Sequence, residues 1–177
     1  MKLSNEAVMD FLRNKEANIL NLRFIKQRSE NTCWAACYEM VDNWRKIQRN
    51  SCEYVRLQTR DCKVACYRPT GACDKPRPVT KVTSDWWTLG YNNTREYDYN
   101  LDENEIRSAI KKKRPIHAFI KFRGRATGHY ILILGIERKE FTADALIAIM
   151  DPESGYTTRS FGELFKWGNW QLTWVVH

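Results

Sequence analysis

The stretch that decides the fold is QRSENTCWAACY, which runs from Gln27 to Tyr38. Cys33 follows Asn31 and Thr32, two residue types that often begin helices, and a long helix-compatible run comes after it. A thiol in the first turn of a helix lies near unpaired backbone N–H groups and the positive end of the helix dipole. Both stabilise a thiolate. We therefore interpret Cys33 as a nucleophile.

The alternative for Cys33 is a small buried apolar residue, which is what most unpaired cysteines are. Cys37 lies on the same helical face and fits that alternative well. Three residues separate the two cysteines, whereas a thioredoxin-type redox pair has two between them. The segment alone favours a nucleophile only modestly, so its partners elsewhere in the chain must decide.

Length and composition limit the architecture and the compartment. With 177 residues the chain is expected to form one domain, helical over about 1–114 and sheet-rich over about 115–177. No apolar run approaches the length of a membrane span, so no membrane association is expected. The N-terminus carries acidic residues early and lacks the apolar segment of a Sec signal. We expect a protein that is cytoplasmic where it is made, or exported by a route without that signal.

The net charge of +8 predicts an acidic partner, whether nucleic acid, an anionic surface or an acidic protein. The basic residues are scattered apart from the run KKKR over 111–114. We place that run at the solvated end of a helix over Asp102–Lys112, where cations suit the exposed carbonyl groups. No basic strand interleaved with aromatics and no helix-turn-helix pattern is present, so a nucleic-acid partner is not expected.

Four further cysteines fall in a loop-rich stretch: Cys52, Cys62, Cys66 and Cys73. They are able to form one or two disulfides if the protein works outside the cell. The spacings of nine, three and six intervening residues do not match the paired knuckles of structural zinc. We expect reduced thiols or a disulfide here, and neither a metal nor a cofactor.

Hydrophobic periodicity predicts helices first and strands second. The expected helices are Asn5–Asn14, Thr32–Gln48 and Asp102–Lys112, with an extended arm over 18–26 and one helical turn over Phe161–Trp167. The expected strands are Ile116–Phe122, His129–Ile136, Ala145–Met150, Thr157–Ser160 and Gln171–Val176. For residues 50–100 the sequence predicts an irregular segment that contains one short helix or strand. The order indicates an α+β fold with a mostly antiparallel sheet and a cleft where the two halves meet.

Of the three histidines, His129 is the candidate base. It follows Gly128, which leaves room beside the ring, and it opens an apolar strand, so it can face a cleft while the rest of that strand is buried. His117 is expected to be an exposed or hydrogen-bonded strand residue. His177 is expected to lie in a frayed terminus.

A catalytic imidazole needs an acceptor that fixes its tautomer, and Asp151 is the candidate. If His129–Ile136 pairs antiparallel with the strand that ends at Asp151, residues 129 and 151 fall opposite each other. The alternative is that Asp151-Pro152 merely begins a turn, and both descriptions can hold together. Asp144 competes for the role but lies at the wrong end of the expected hairpin.

These residues define a Cys–His–Asp order along the chain, in which Gln27 and the Cys33 N–H would line an oxyanion hole. Here the sequence resembles the papain-like cysteine peptidases. The similarity covers Q-x5-C-W-A from Gln27 to Ala35, G-H-Y with the apolar strand at 128–136, and the acidic residue that closes the next strand. It implies that Gln27 is the oxyanion glutamine, Cys33 the nucleophile, His129 the general base and Asp151 its orienting residue, with Trp34 structural.

Within that clan, the motifs are more similar to compact bacterial forms than to lysosomal cathepsins. Those forms include effector peptidases injected into host or rival cells and the leader-processing peptidases of bacteriocin exporters. The sequence has Asp where papain itself has Asn, and no propeptide is visible. The resemblance therefore implies a protein substrate and another means of latency, such as a bound acidic inhibitor or immunity protein.

Three functions stay open at this point. The first is an endopeptidase that acts on a specific protein, as an exported effector or toxin domain. The second is a glutamine deamidase or transglutaminase on the same scaffold, because a side-chain amide presents the same carbon to sulfur as a peptide bond does. The third is a non-catalytic binding module that uses its basic surface.

Overall fold

The computed structural model describes residues 19–58, 62, 73–124, 127–138 and 145–177. The elements in chain order are α1 (Cys33–Trp44), α2 (Ser51–Gln58), α3 (Val79–Thr88), β1 (Arg95–Tyr97), α4 (Glu103–Lys111), β2 (Ile116–Phe122), β3 (Gly128–Arg138), β4 (Ala145–Asp151), β5 (Gly155–Ser160), α5 (Phe161–Trp167) and β6 (Gly168–Val175). This order confirms the predicted α+β class. The predicted helix over Asn5–Asn14 lies outside the described residues.

One six-stranded sheet has the order β1-β6-β2-β3-β4-β5, and every neighbouring pair is antiparallel. All five predicted strands form, and β1 adds a sixth from the helical half of the chain. Strand β3 lies inside the sheet, and its residues from Tyr130 to Ile136 are all buried. A continuous apolar run is what a strand covered on both faces requires.

The predicted arm before Gln27 crosses β3 at a bulge. The β3–β4 register shifts between Ile133 and Gly135, which leaves Leu134 out of the ladder. Its carbonyl oxygen instead accepts a hydrogen bond from the Leu20 N–H at 2.8 Å, and Ile19 bridges to Gly135. The bulge therefore anchors the arm that leads toward the Gln27 loop.

The helices differ from the prediction in two places. Helix α1 ends at Trp44 rather than near Gln48, because Lys46 takes a left-handed backbone with φ of 64°. The 50–100 segment is more regular than expected, since it holds α2, α3 and β1. A readable signal for α2 was Asn50, whose side-chain oxygen accepts from the N–H groups of Cys52 and Glu53. No helix within the described part of the chain has the length and apolar character needed to cross a membrane.

The helical layer packs on the sheet through a cluster of aromatic rings. Tyr38 of α1 packs against Trp86 of α3 with ring centroids 4.4 Å apart, and both rings lie 5.6 Å from the His117 ring of β2. His117 is fully buried, so the exposed alternative predicted for it is wrong and the hydrogen-bonded one holds. Its Nδ1 accepts from the Trp86 indole at 3.3 Å, and burial lowers its pKa to about 3. His117 is a neutral core residue.

Candidate active site

Helix α1 places Cys33 at its first position. Thr32 is the N-cap residue, but its side chain makes no capping hydrogen bond to the helix. Its hydroxyl instead donates to the Ser29 carbonyl at 3.1 Å and accepts from the Ser29 N–H at 3.0 Å, which closes the turn before the helix. No N-cap side chain therefore bonds to the first-turn N–H groups beside Cys33, which leaves the positive end of the helix dipole uncompensated there. Cys33 itself is 5% exposed.

The structure brings the predicted base and its predicted acceptor together. His129 Nε2 lies 2.7 Å from Asp151 Oδ1, and both side chains are buried. The Cys33 side chain interacts electrostatically with the same ring. Because Nε2 is taken by the carboxylate, Nδ1 is the ring nitrogen left to serve the sulfur. Cys33, His129 and Asp151 thus come together at the junction of α1 and the sheet.

The hairpin reaches this result by a different register from the expected one. The ladder pairs Leu132 with Met150, and Asp151 already pairs with Gly155 on β5. Residues 129 and 151 are therefore not directly opposite each other, and their side chains meet diagonally beyond the β3–β4 ladder. The competitor Asp144 lies outside the described residues.

The Asp151 carboxylate is held on both oxygens. Oδ1 also accepts from the Glu153 N–H at 2.8 Å, and Oδ2 accepts from the Ser154 hydroxyl at 2.6 Å. Asp151 therefore both begins a turn and holds the imidazole, as the sequence analysis allowed. Ser154 was not predicted as a site residue, although it follows Asp151 by three residues and Asp and Ser are both frequent in turns.

The charges in this chain support one another. Burial disfavours the imidazolium, but the hydrogen bonds to Asp151 and Cys33, and their charges, raise the pKa of His129 to about 10. Burial also disfavours the Asp151 carboxylate, yet hydrogen bonds from His129, Ser154 and the Glu153 N–H lower its pKa to about 2. The arrangement favours a protonated ring beside the Asp151 carboxylate, which is the imidazolium that a thiolate–imidazolium pair needs.

Two aromatic rings enclose the imidazole and were not predicted as site residues. Phe122 stacks against His129 at 6.2 Å between centroids, and Trp167 meets it edge-on at 5.8 Å. Trp167 is the last residue of α5, so the predicted helical turn positions part of the site. Rings on both sides limit the rotation of the imidazole and keep water from the His129–Asp151 hydrogen bond.

Gln27 lies in the loop before α1, half-buried. Its Nε2 donates to the Ser29 carbonyl at 3.0 Å and more weakly to the Glu30 carbonyl at 3.4 Å. Its Oε1 is buried and has no hydrogen-bond partner among the described residues. The backbone N–H of Gln27 donates to the Pro152 carbonyl at 2.8 Å, which ties this loop to the turn that carries Asp151.

A short strap, residues 73–77, connects the surroundings of Cys33 with those of His129. Asp74 accepts from the Asn31 N–H at 3.0 Å, and the Lys75 carbonyl accepts from the Trp34 indole at 3.1 Å. At its other end, the Arg77 carbonyl accepts from the Tyr130 hydroxyl at 2.8 Å. No sequence signal indicated these contacts, because they join residues 41 to 53 positions apart.

The strap begins at a disulfide between Cys62 and Cys73. This outcome agrees with the expectation of reduced thiols or a disulfide in the stretch. Cys52 is a free thiol, and Cys66 lies outside the described residues. Cys37 is also free, and burial together with the charges of Cys33 and Asp151 raises the pKa of its thiol well above the usual range. Cys37 is thus the inert thiol of the pair, as its position predicted.

A metal centre has no support in the described part of the chain, where no group of three or more His, Cys, Asp or Glu side chains is arranged to hold an ion. The arrangement has instead the parts that acyl transfer through sulfur requires: a cysteine at a helix start, an imidazole and a carboxylate in sequence.

Comparisons with known proteins agree with this chemistry. The chain is similar to the solved structure of a double glycine motif protease from an AMS/PCAT transporter, crystallised with its leader peptide. The TM-score is 0.55 at 19% identity, and the match covers 89% of this chain and 91% of that one, which shows a papain-like fold. A comparison with curated proteins returned no match. A family model described as papain-like cysteine protease AvrRpt2 matches residues 16–166. The chain therefore belongs to this family of papain-like cysteine proteases.

Proposed function

We propose that this protease cleaves a specific protein substrate through a Cys33–His129–Asp151 triad and a thioacyl intermediate. The observation that carries the proposal is the buried His129–Asp151 hydrogen bond beside Cys33, the first residue of α1, whose side chain interacts with the same ring. A buried, doubly anchored carboxylate behind the ring keeps the imidazolium oriented toward the sulfur.

The proposed reaction begins when the Cys33 thiolate attacks the carbonyl carbon of the scissile amide. The oxyanion that forms is stabilised by the Cys33 N–H at the start of α1 and by the side-chain amide of Gln27. The Gln27 Nε2 carries two hydrogens, and the one that makes the longer bond, to the Glu30 carbonyl at 3.4 Å, would turn from that carbonyl to the oxyanion.

Collapse of the tetrahedral intermediate breaks the C–N bond. His129 gives its proton to the leaving nitrogen, and the acyl group stays on sulfur as a thioester. Water then attacks that carbon while His129 takes its proton, which releases the carboxylic acid and restores the thiolate.

A protein substrate is supported by two features outside the triad. The similar solved structure is a protease bound to a leader peptide, and the family name is that of a papain-like protease, AvrRpt2. We propose that the chain is an effector or toxin domain that is cytoplasmic where it is made and is exported without a Sec signal into a target cell. Its net charge of +8 favours an acidic inhibitor or immunity protein as its partner before export.

The test is N-terminal profiling of a lysate treated with the wild-type protein or with Cys33→Ala. New protein termini that appear with wild type and are absent with Cys33→Ala are expected. Cys37→Ala is the matched control, because it removes a buried thiol from the same helix without touching the proposed nucleophile. Termini that persist with Cys33→Ala would contradict the assignment of the nucleophile.

The same samples separate proteolysis from glutamine deamidation, the second chemistry open to this site. A gain of about one mass unit on glutamine side chains, without new termini, would replace the endopeptidase by a deamidase (an amide becomes an acid). Gln27→Ala is expected to slow cleavage by about 10²–10³-fold, the typical cost of one oxyanion donor, while the protein stays folded. Gln48→Ala is its control, because that side chain is exposed beyond α1.

A further inference from the structure

A pocket lies away from the candidate active site and is lined by cations. It has a volume of about 340 Å³ and lies between the end of α4, strand β1 and the end of β6. Arg95, Lys112 and Arg114 line it together with His177. Strand β2 gives the distance between the pocket and the active site. Ile116 lies next to the pocket end of the sheet, and Ile120, four residues further along β2, pairs with His129. That separation is roughly 13 Å at about 3.3 Å per residue, so catalysis does not explain the pocket.

The need to compensate exposed carbonyl groups at the end of α4 does not explain the position of these cations either. The carbonyl oxygens of Ser108 and Ala109 accept from the Lys112 N–H, and Ala109 also accepts from the Arg114 N–H. The Ile110 carbonyl accepts from the Lys113 N–H at 2.9 Å. Backbone amides thus satisfy the last turn of the helix, and the Lys112 and Arg114 side chains are not needed there.

The cations are not neutralised within the described part of the chain, where Arg95, Lys112 and Arg114 form no ion pair. Glu105 also lines the pocket, and its single negative charge does not balance the three positive charges of Arg95, Lys112 and Arg114. Its Oε1 accepts from the Tyr99 hydroxyl at 3.0 Å, and its Oε2 accepts from the Asp102 N–H at 2.9 Å.

The positive charge converges on one place. Burial, followed by the charges of Arg114, Arg95, Lys112 and Arg45, lowers the pKa of the His177 imidazole. Arg45, which follows α1, therefore adds a fourth cation within electrostatic reach of the pocket. Four cations that act on one imidazole form a concentrated field rather than a scattered basic surface.

We propose that this pocket binds a compact, multiply charged phosphate compound. A phosphate group carries up to about two charges and three acceptor oxygens, so it can satisfy several converging donors at once, whereas a side-chain carboxylate carries one charge. The planar guanidinium groups of Arg95 and Arg114 suit two-point contact with phosphate oxygens. The volume lies within the range of small-molecule sites, about 300–1,000 Å³.

The test is calorimetric titration with tripolyphosphate at fixed ionic strength, on the wild type and on two double variants. Lys112→Gln/Arg114→Gln removes two cations from the pocket. Lys111→Gln/Lys113→Gln removes the same charge from the same basic run, but neither residue lines the pocket. We expect one site in the wild type, an affinity lower by about tenfold or more in the pocket variant, and a change under about threefold in the control.

Three results would overturn the proposal. No binding to the wild type would remove the site. Equal losses in both double variants would show general charge screening rather than a pocket. A glutamate-rich peptide that binds at least as tightly as tripolyphosphate, with the same dependence on Lys112 and Arg114, would assign the pocket to an acidic protein instead. Thermal unfolding of each variant checks that the fold is kept.

Discussion

The Gln27 N–H donates to the Pro152 carbonyl at 2.8 Å and thereby joins the loop before Cys33 to the turn behind His129. Pro152 directly follows Asp151, whose carboxylate holds the imidazole. A backbone hydrogen bond therefore links the loop of Gln27, the predicted oxyanion residue, to the turn of Asp151, the predicted orienting residue, although the two are far apart in the chain. Substitution of the Gln27 side chain leaves this backbone bond in place and removes from the loop only the side-chain donations to the Ser29 and Glu30 carbonyls.

Substitutions behind the ring are expected to have graded effects on Cys33 reactivity. Asp151→Asn replaces the anion that stabilises the imidazolium, and we expect iodoacetamide to label Cys33 about 100-fold more slowly at pH 7. Ser154→Ala removes one hydrogen bond to the same carboxylate, and a roughly fivefold loss is expected. The measurement is the alkylation rate by mass spectrometry, which needs no substrate.

Glu153→Ala is the matched control for these two variants. The Glu153 side chain is exposed, and its contribution to Asp151 is a backbone N–H that alanine keeps. Its labelling rate should stay within about twofold of wild type. Equal rates in Asp151→Asn and wild type would mean that the carboxylate does not hold the charged ring.

The pH dependence of stability follows from the two shifted pKa values. The pKa of His129 is raised from 6.5 to about 10, so its contribution is complete below pH 6.5 and is lost as pH rises through 10. The pKa of Asp151 is lowered from 3.8 to about 2, so its contribution is complete above pH 3.8 and is lost as pH falls through 2. The site should therefore stabilise the fold most between about pH 4 and 6.5.

Urea unfolding of wild type and His129→Gln across pH tests this window. The difference in unfolding free energy between the two proteins should be largest near pH 5 and should shrink steadily from pH 7 to 10. A difference that stays constant from pH 7 to 10 would mean that the folded protein already holds His129 as the neutral ring in that range.

The disulfide is expected to matter for stability and for the site together. Cys73→Ser opens the Cys62–Cys73 link, whose sequence separation is 11, and the loop-closure model assigns such a link about 3 kcal/mol of unfolding free energy. Because the strap that follows Cys73 contacts Asn31 and Trp34 on either side of Cys33, the labelling rate of Cys33 should fall as well.

Cys52→Ser is the control for Cys73→Ser, since Cys52 is a free, partly exposed thiol. It should change the unfolding free energy by less than about 0.5 kcal/mol. Denaturant unfolding and labelling are measured on the same preparations without reductant. A Cys73→Ser protein as stable as Cys52→Ser would show that the strap holds without its covalent anchor.

A side chain at Gly128 is expected to destabilise the fold. The sequence suggested that this glycine leaves room beside the His129 ring, whereas the structure shows that it lies close to strand β2. A Cβ at this position would lie 2.4 Å from the Phe119 ring and 2.7 Å from the Ile120 carbonyl oxygen. Atoms of the neighbouring strand β2 therefore occupy the space that a side chain would need. Gly128→Ala should cost about 1–3 kcal/mol of unfolding free energy, because the backbone of β2 must shift.

Gly162→Ala gives the comparison, because its Cβ would meet only an ordinary contact at 3.9 Å. In helix α5, alanine should be neutral or stabilising by up to about 1 kcal/mol. The two variants are compared by urea unfolding at pH 6. Equal unfolding free energies for Gly128→Ala and Gly162→Ala would mean that strand β2 shifts at little cost to accommodate the added methyl group.

Local signals were sufficient for the elements that carry the site. The Asn31-Thr32 step before Cys33 predicted where α1 begins, and the apolar run after His129 predicted a buried strand. Segment 50–100 was harder, because its helices begin at a side-chain cap and after a proline rather than with a strong periodic pattern. Its strand β1 has only three residues, which is too short for alternation to be read.

The sequence by itself determined the α+β class, the helix that presents Cys33 and the strands that carry His129 and Asp151, because each depends on neighbours within one element. Only the tertiary structure decided the diagonal reach between His129 and Asp151, the rings around the imidazole and the strap from Cys73. These depend on a bulge, a strand register and contacts between residues far apart in the chain, and no local pattern encodes such distances.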